Sequence, residues 1–560
     1  MKYKEYDADL CVVGGGMSGL VAAISAARHG ARVVLMQDRP VLGGNASGEI
    51  RMWICGAHGR DNRETGILEE IVLENFYQNP GLKFPLWDGV LHQFAKAEKN
   101  ITLLLNTSCL HAETEGARIL SVTGWQSNAE TYHTVRARYF ADCSGDSILS
   151  PLTGASARMG RESKAEFGET IPSDVADKKT MGMSCLFQIR ECDRPVPYVA
   201  PPTAYVYPTD EDLPFKDHEL TNNFWWIELG GDGDALHDVD DNRDEMLRIC
   251  YGVWDHIKNR GDHGADNWEL EWIGFLPGKR ESRRYVGLTT VTQKDVEAGG
   301  PYDDVVAYGG WTMDDHFPEG FRYRAGHPTI YHPAPSPWGI PFRALVSKDK
   351  ENLLFAGRNI SVTHAALSSS RVMGTCAMLG QAVGTAVAQM VKDGTTPTTV
   401  DVSRLQETLM EDDCMLPRLR RSVEKVGEYS HPLLGNGCDR GDENVTEVPF
   451  DTPLTLTFDR PTPILGVRLV FDSDLNRKGQ NMPCRWPLSG QVIGMPKTLV
   501  REFDLILTDG AGEEHLLTVK DNRKRLCRVG WQGEVTRITL IPRATHGAPS
   551  ARVFSLEAMR

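Results

Sequence analysis

The chain opens on a polar stretch and then gathers four apolar residues, Leu10-Cys11-Val12-Val13, a pattern that predicts a short buried strand. Six residues rich in glycine follow. Beyond them Leu20, Ala23, Ile24 and Ala27 recur at helical spacing, and Gly30 stands where a helix would stop. Residues 31–36 read as a second apolar strand. Far downstream the texture changes. Residues 401–426 read as a helical connector with Leu405 and Leu409 on one face. From His431 onward, short alternating segments such as 454–458, 465–471, 503–507 and 536–540 are separated by turn signals such as Asp509-Gly510. Several short strands with such turns predict a β-sandwich.

The glycine turn is Gly14-Gly15-Gly16-Met17-Ser18-Gly19, a GxGxxG set between a strand and a helix. Gly14 permits a tight turn, Gly16 lets the backbone approach a pyrophosphate, and Gly19 lets helix and strand pack closely. The helix start at Met17 and Ser18 then offers N–H groups and the positive dipole end to phosphates. The second strand of such a unit usually ends in an acid that binds a ribose. Here Gln37-Asp38-Arg39 stands there. Strand alignment puts Gln37 at the usual position, and Asp38 serves if the register slips by one. A neutral amide there weakens NAD as a reading more than FAD.

Four later stretches choose between dinucleotides. The segment after the second strand, Val41-Leu42-Gly43-Gly44-Asn45-Ala46-Ser47, resembles the flavin-contacting loop of glutathione-reductase-like FAD enzymes. Residues 139–146, ending Asp142-Cys143-Ser144-Gly145-Asp146, resemble the strand and turn that close over FAD. Residues 352–359, with Gly357 and Arg358, resemble the second FAD strand. Residues 371–384, with Gln381, resemble the small-residue helix that faces the flavin. Together with residues 277–284, 311–316 and 340–345, these resemble a bacterial FAD-dependent oxidoreductase family often found beside polysaccharide-degradation enzymes. The ending Arg552-Val553-Phe554-Ser555-Leu556 is similar to the last strand of discoidin-like jelly rolls, modules that often bind sugars; a structural cap is the other reading.

The resemblance implies an α/β FAD-binding Rossmann-type domain with an inserted α+β substrate domain, plus a C-terminal all-β jelly-roll or sandwich domain. Its boundaries would be 1–151 and 327–394 for the FAD domain, 152–326 for the substrate insert, 395–430 for the connector and 431–560 for the β domain. The insert holds many aromatics, among them Trp225, Trp226, Trp254, Trp268, Trp272 and Trp311, as a roof over a flavin would.

Composition narrows the partners. A net charge of −15 argues against a broad grip on nucleic acid or anionic membrane, though not against a locally positive pocket. No window supplies the ~20 apolar residues of a membrane span. The N-terminal stretch does not read as a signal peptide. The 12 cysteines form no CxxC pair, so no metal or dithiol site is signalled, and free thiols point to a cytoplasmic protein. The acids around Asp232, Asp234 and Asp238 lack calcium-loop spacing and read as a solvated loop.

A flavin oxidising an alcohol needs a base for the hydroxyl proton, and histidine suits that work. His364, between the second FAD strand and the flavin-facing helix, is the first candidate; a turn-shaping histidine is the alternative. His316 after two acids, and His58 after the flavin loop, are the others. Glu49 and Arg51 stand two apart and could share a strand face, either gripping substrate or forming a buried ion pair. Arg283 and Arg343 are candidates for an anionic substrate group, Arg343 also as a proton donor. The expected function is hydride transfer between flavin N5 and a polar small molecule, a sugar or glycoside first. The alternatives are a fumarate-reductase-like ene-reductase and a carbohydrate-binding protein with structural FAD. Electron acceptor and oligomeric state stay open.

Overall fold

In the computed structural model, residues 1–478 and 494–560 are described. One of the cysteines counted above, Cys484, lies outside them.

β1 (Lys2–Val13) is exposed at its start and buried from Ala8 on, just before the apolar run. It pairs in parallel with β2 (Val33–Met36), and β2 with β3 (Ile101–Leu104). On its other side β1 pairs in parallel with β6 (Thr131–Asp142) along most of its length. β6 then forks. Its first half pairs antiparallel with β5 (Arg118–Gln126), itself paired with β4 (Thr107–Glu115), and its second half pairs in parallel with Leu353–Phe355. The fork is how a strand two hundred residues away joins the same sheet.

The helix α1 (Met17–Arg28) packs on the helix Met373–Asp393, and glycine makes the contact possible. A Cβ on Gly380 would sit 2.1 Å from the Ser18 carbonyl oxygen, and one on Gly384 would sit 2.2 Å from that of Ala22. Ser25 and Thr385 hydroxyls bond across the same seam at 2.8 Å. The helix Met373–Asp393 and the strand Leu353–Phe355 thus pack on the same sheet and helix as the glycine turn.

The insert has its own core, in which Phe187, Phe224, Trp226 and Trp254 are buried and Phe187 stacks on Phe224 at 4.1 Å. Trp226 and Trp254 thus serve the insert's interior rather than a roof over a ligand. The acidic loop is a turn and helix entry: Asp234 accepts from Leu236 N and His237 N, and Asp238 accepts from Asp234 N.

Two compact units emerge. The first comprises Met1–Ala57 and Gly81–Leu405, scaffold and insert together. The second combines His58–Pro80 with most of the chain after Gln406, so a piece of the expected FAD domain belongs with the β unit. The helix Ile67–Gln78 lies in that piece, where Glu69 is buried and paired with Arg477 at 2.6 Å. The β unit is an all-antiparallel sheet folded as a sandwich, built on the long strands Leu454–Phe471 and Leu526–Thr545, whose register shifts let them bend. Among the described residues no helix is long and apolar enough to cross a membrane.

The Gly380 contact yields a prediction. Gly380→Val must push α1 and its partner helix apart, costing about 1–3 kcal/mol and loosening any ligand at the start of α1. Urea unfolding and the flavin-to-protein absorbance ratio check this; an unchanged ratio with unchanged stability would contradict the seam.

Candidate functional site

The carboxyl ends of β1, β2 and β6 and the start of α1 open onto a cleft of 410 Å³. Gly14, Gly16, Met17, Ser18, Gln37, Asp38, Arg39, Gly43, Gly44, Asn45, Cys143, Gly145, Asp146, Gly357 and Arg358 line it, all sequence-predicted. Four other predicted residues lie beneath the surface instead. Gly19 is where α1 crosses β1, and a Cβ there would meet the Gly14 carbonyl oxygen at 1.8 Å. Ala46 and Ser47 are fully buried, with the Ala46 carbonyl accepting from Trp87 Nε1 at 2.9 Å. Gln381 is buried inside its helix.

Backbone dominates the cleft floor. Gly14 has φ +102°, and a side chain there would strike the Cys143–Ser144 backbone at 2.5 Å. Gly43 N donates to Gly15 O at 2.9 Å, which lays the loop after β2 against the glycine turn. Gly16 caps α1 without a side chain, so the first-turn N–H groups stay open to a ligand.

Gln37 corrects an expectation. It lines the cleft, but its Oε1 accepts from Gly15 N at 2.7 Å and its Nε2 donates to Val41 O at 3.2 Å. Its amide ties the two loops together and is not free for a ribose. Asp38, with a side chain 63% exposed beside Arg39, is the acid that faces the cleft.

At the far wall, buried Asp142 orders the turn after β6. Its oxygens accept from Ser144 N, Ser144 Oγ, Leu149 N and Tyr285 Oη at 2.6–2.9 Å. The turn presents Asp146, which accepts from Arg358 at 2.5 Å and from Lys279 Nζ at 2.9 Å. Burial opposes its ionisation, but these two cations hold its carboxyl well below the usual range.

An uncapped helix start, a glycine floor, one acid at the β2 end and a second acid flanked by cations suit a dinucleotide with two phosphates and many hydroxyls. The chain matches the family described as FAD dependent oxidoreductase over residues 9–409. The chain belongs to that family. It is therefore an FAD-dependent oxidoreductase, and FAD is the group the cleft would hold. No curated protein matches it. Among solved structures it is similar to a geranylgeranyl bacteriochlorophyll reductase-like protein of Thermoplasma acidophilum, at 11% identity over 73% of this chain and 85% of that one, TM-score 0.33. It is also similar to p-nitrophenol 4-monooxygenase of Pseudomonas putida DLL-E4, at 10% identity over 71% and 83%, TM-score 0.33. The family 32 carbohydrate-binding module of Streptococcus pneumoniae EndoD matches at 13% identity over 24% of this chain and 92% of that one, TM-score 0.19.

Beside the flavin cleft lies a second cavity of 280 Å³. The two share Asn45, Lys279, Arg358, Arg371 and Met373, so they meet at the start of the helix Met373–Asp393. Trp53, Trp225, Trp311 and Tyr331 form its aromatic walls, and Arg280, Asp314 and His316 its polar ones. His316 is buried, with Nδ1 2.7 Å from Glu228 Oε2 and Nε2 3.3 Å from Asp314 Oδ2.

The other catalytic candidates stand elsewhere. His364 lines neither cavity. Its Nδ1 faces Glu281 at 2.9 Å, its Nε2 faces Asp315 at 3.0 Å, and it is 1% exposed. Burial alone would lower its pKa, but the two carboxylates outweigh that and raise it to about 10. It is an imidazolium anchor rather than a base. His58 belongs to the other compact unit and lines neither cavity. Arg343 is half-exposed and paired with Asp304 at 2.9 Å. Arg283 donates to Asp146 O at 3.0 Å and lines neither cavity. Glu49 and Arg51 share no strand, because the chain turns there and Arg51 has φ 64°. Glu49 pairs with Arg39 at 3.5 Å, while Arg51 bonds Gln188 at 2.7 Å and stacks over Trp272. Sequence reasoning missed Trp53, Tyr331 and Arg371, which lie far apart along the chain and share no spacing signal.

Two predictions follow from these placements. Asp38→Ala should weaken FAD retention by about 10-fold or more while leaving stability intact, whereas Gln37→Ala should cost about 1–3 kcal/mol of stability. Fluorescence titration of FAD and urea unfolding separate them. His364→Gln should cost about 3–5 kcal/mol near neutral pH by removing the imidazolium that Glu281 and Asp315 share. The raised pKa makes that stabilisation complete below the unfolded value of ~6.5, and it is lost as pH rises through about 10. The gap between wild type and variant should therefore close over that rise, and a constant gap would show the ring to be neutral.

Proposed function

We propose that this flavoenzyme oxidises the carbinol carbon of a neutral, polyhydroxylated ring such as a sugar or glycoside, held in the second cavity. The observation that carries this is how the cavity's cations are matched. Arg280 pairs with Glu228 at 3.3 Å, Arg371 with Asp314 at 3.1 Å, and Lys279 and Arg358 with Asp146. A wall of aromatic faces and paired charges gives a neutral substrate stacking surfaces and alternating donors and acceptors without demanding an anion. FAD, when bound, supplies the two-electron chemistry.

The chain's own residues do the rest. Trp53, Trp225, Trp311 and Tyr331 orient the ring. His316 takes the hydroxyl proton at Nε2, replacing its long contact to Asp314, while Glu228 holds the Nδ1–H and stabilises the imidazolium that forms. This is the logic of a base oriented by a carboxylate. One observation favours the acid-reducing alternative: the Nε of Arg371 is buried with no hydrogen-bond partner, a donor that a carboxylate would suit.

Anaerobic stopped-flow mixing separates the two. Neutral sugars and glycosides should bleach the flavin band, and His316→Gln should keep its FAD while slowing that bleaching by ~10²–10⁴-fold. Reoxidation of reduced enzyme by unsaturated dicarboxylates, without bleaching by sugars, would favour the second reading. Bleaching at wild-type rate in His316→Gln would remove His316 from the chemistry.

A further inference from the structure

The insert carries a second cluster of donor groups that neither cavity uses. Asp210, His218, His256 and His263 each bring one ligand atom to a common point, all four within 4.8 Å of one another. They come from separate places. Asp210 opens the single turn Asp210–Asp212, and His218 lies in the loop after it. His256 sits where the helix Val239–Asp255 widens into the π turn His256–Arg260, and His263 lies in the loop beyond Gly261. A π turn at the end of a helix is a rare local geometry that often marks a functional position.

The distances are those of a coordination shell. His256 Nε2 is 3.0 Å from Asp210 Oδ1 and 3.2 Å from His263 Nε2. His218 Nε2 and His263 Nε2 lie 3.5 and 3.6 Å from the same Asp210 oxygen. A tetrahedral ion with bonds of ~2.0–2.1 Å requires donor separations of roughly 3.3 Å. The three imidazoles are arranged like blades, with ring centroids 5.1, 5.0 and 5.1 Å apart and planes inclined at 71°, 73° and 66°.

The backbone sets the tautomers that a metal would need. His256 Nδ1 faces the Tyr207 carbonyl at 2.9 Å, and His218 Nδ1 faces the Lys216 carbonyl at 2.6 Å. A carbonyl only accepts, so both Nδ1 atoms carry the hydrogen, and in the neutral rings that bind a metal both Nε2 atoms turn lone pairs inward. Such outer hydrogen bonds are the usual support of metal-bound histidine. Two inward lone pairs beside a carboxylate repel unless a cation or protons lie among them. His256 is fully buried and His218 and His263 partly so, while Asp210 is 68% exposed and leaves a path for entry.

We propose that this cluster is a structural zinc site. Three imidazoles and one carboxylate suit a borderline divalent ion rather than calcium or magnesium, which prefer oxygen. Four protein ligands close the shell, the mark of a structural ion rather than a catalytic one. The ion fastens the 210–218 segment to the end of the insert's long helix, beside the core residues Leu213, Ile257 and Ala265. It does not depend on the substrate proposed above.

The test uses the untagged full-length holoenzyme. Metal analysis after purification should find about one zinc per chain. Protein stripped with dipicolinate should melt at a lower temperature and recover on adding Zn²⁺ alone, and Co²⁺ should give an intense visible band of tetrahedral type. Asp210→Ala/His263→Ala, at the two more accessible ligands, should lose the metal and the Co²⁺ band while keeping its FAD-to-protein ratio, which shows that the fold survives. Failure of stripped wild type to bind either ion in stoichiometric amount, or equal binding by the double variant, would overturn the site.

Discussion

A buried carboxylate, Glu281, holds the insert to the dinucleotide scaffold. Its oxygens accept from Met181 N in the insert at 2.9 Å and meet His364 of the scaffold at 2.9 Å. Arg284 bridges the same group to Glu162 at 3.1 Å, and Glu162 in turn accepts from His364 N at 2.9 Å. Charges so deeply buried are tolerated only when each is paired and hydrogen-bonded. The network therefore fixes one arrangement of insert on scaffold, and the second cavity is the space that arrangement leaves beside the flavin cleft.

Two histidines with similar neighbours are placed differently. Both His364 and His316 face carboxylates on each ring nitrogen. His364 has them at close range and touches no cavity, so its proton is locked in place. His316 keeps a short bond to Glu228 and a long one to Asp314, and it borders open space. Position against a void, not the identity of the neighbours, separates the anchor His364 from His316, the base proposed above. The chain's acidity is also unevenly spread: Lys279, Arg358 and Arg371 gather where the two cavities meet, with Arg280 on the wall of the second, and each is matched by an acid.

The cofactor site was legible because its chemistry is local. Backbone approach to a dinucleotide demands glycine at particular steps of a strand–turn–helix, and Gly14, Gly16, Gly43 and Gly44 carry that demand in short motifs. The errors there were of one residue or one layer. Gln37 stands at the expected place but its amide is used by neighbouring backbone, and Ala46, Ser47 and Gln381 support the cleft from beneath. Substrate-side residues were harder to read, since Arg343 and Arg51 carry the right chemistry and only packing shows that Asp304 and Gln188 engage them.

By itself the sequence determined the nucleotide-binding unit and the all-β character of the C-terminal part, because each rests on periodicity or on glycine's conformational freedom within a few residues, while the return of a distant segment came only from the resemblance to FAD enzymes. Tertiary structure alone decided which polar side chains face empty space. Trp53, Trp225, Trp311 and His316 converge from segments far apart in the chain, as do Asp210, His218, His256 and His263. Convergence of that kind has no spacing in sequence, because it is set by how the insert's core and the buried ion network dock one segment upon another.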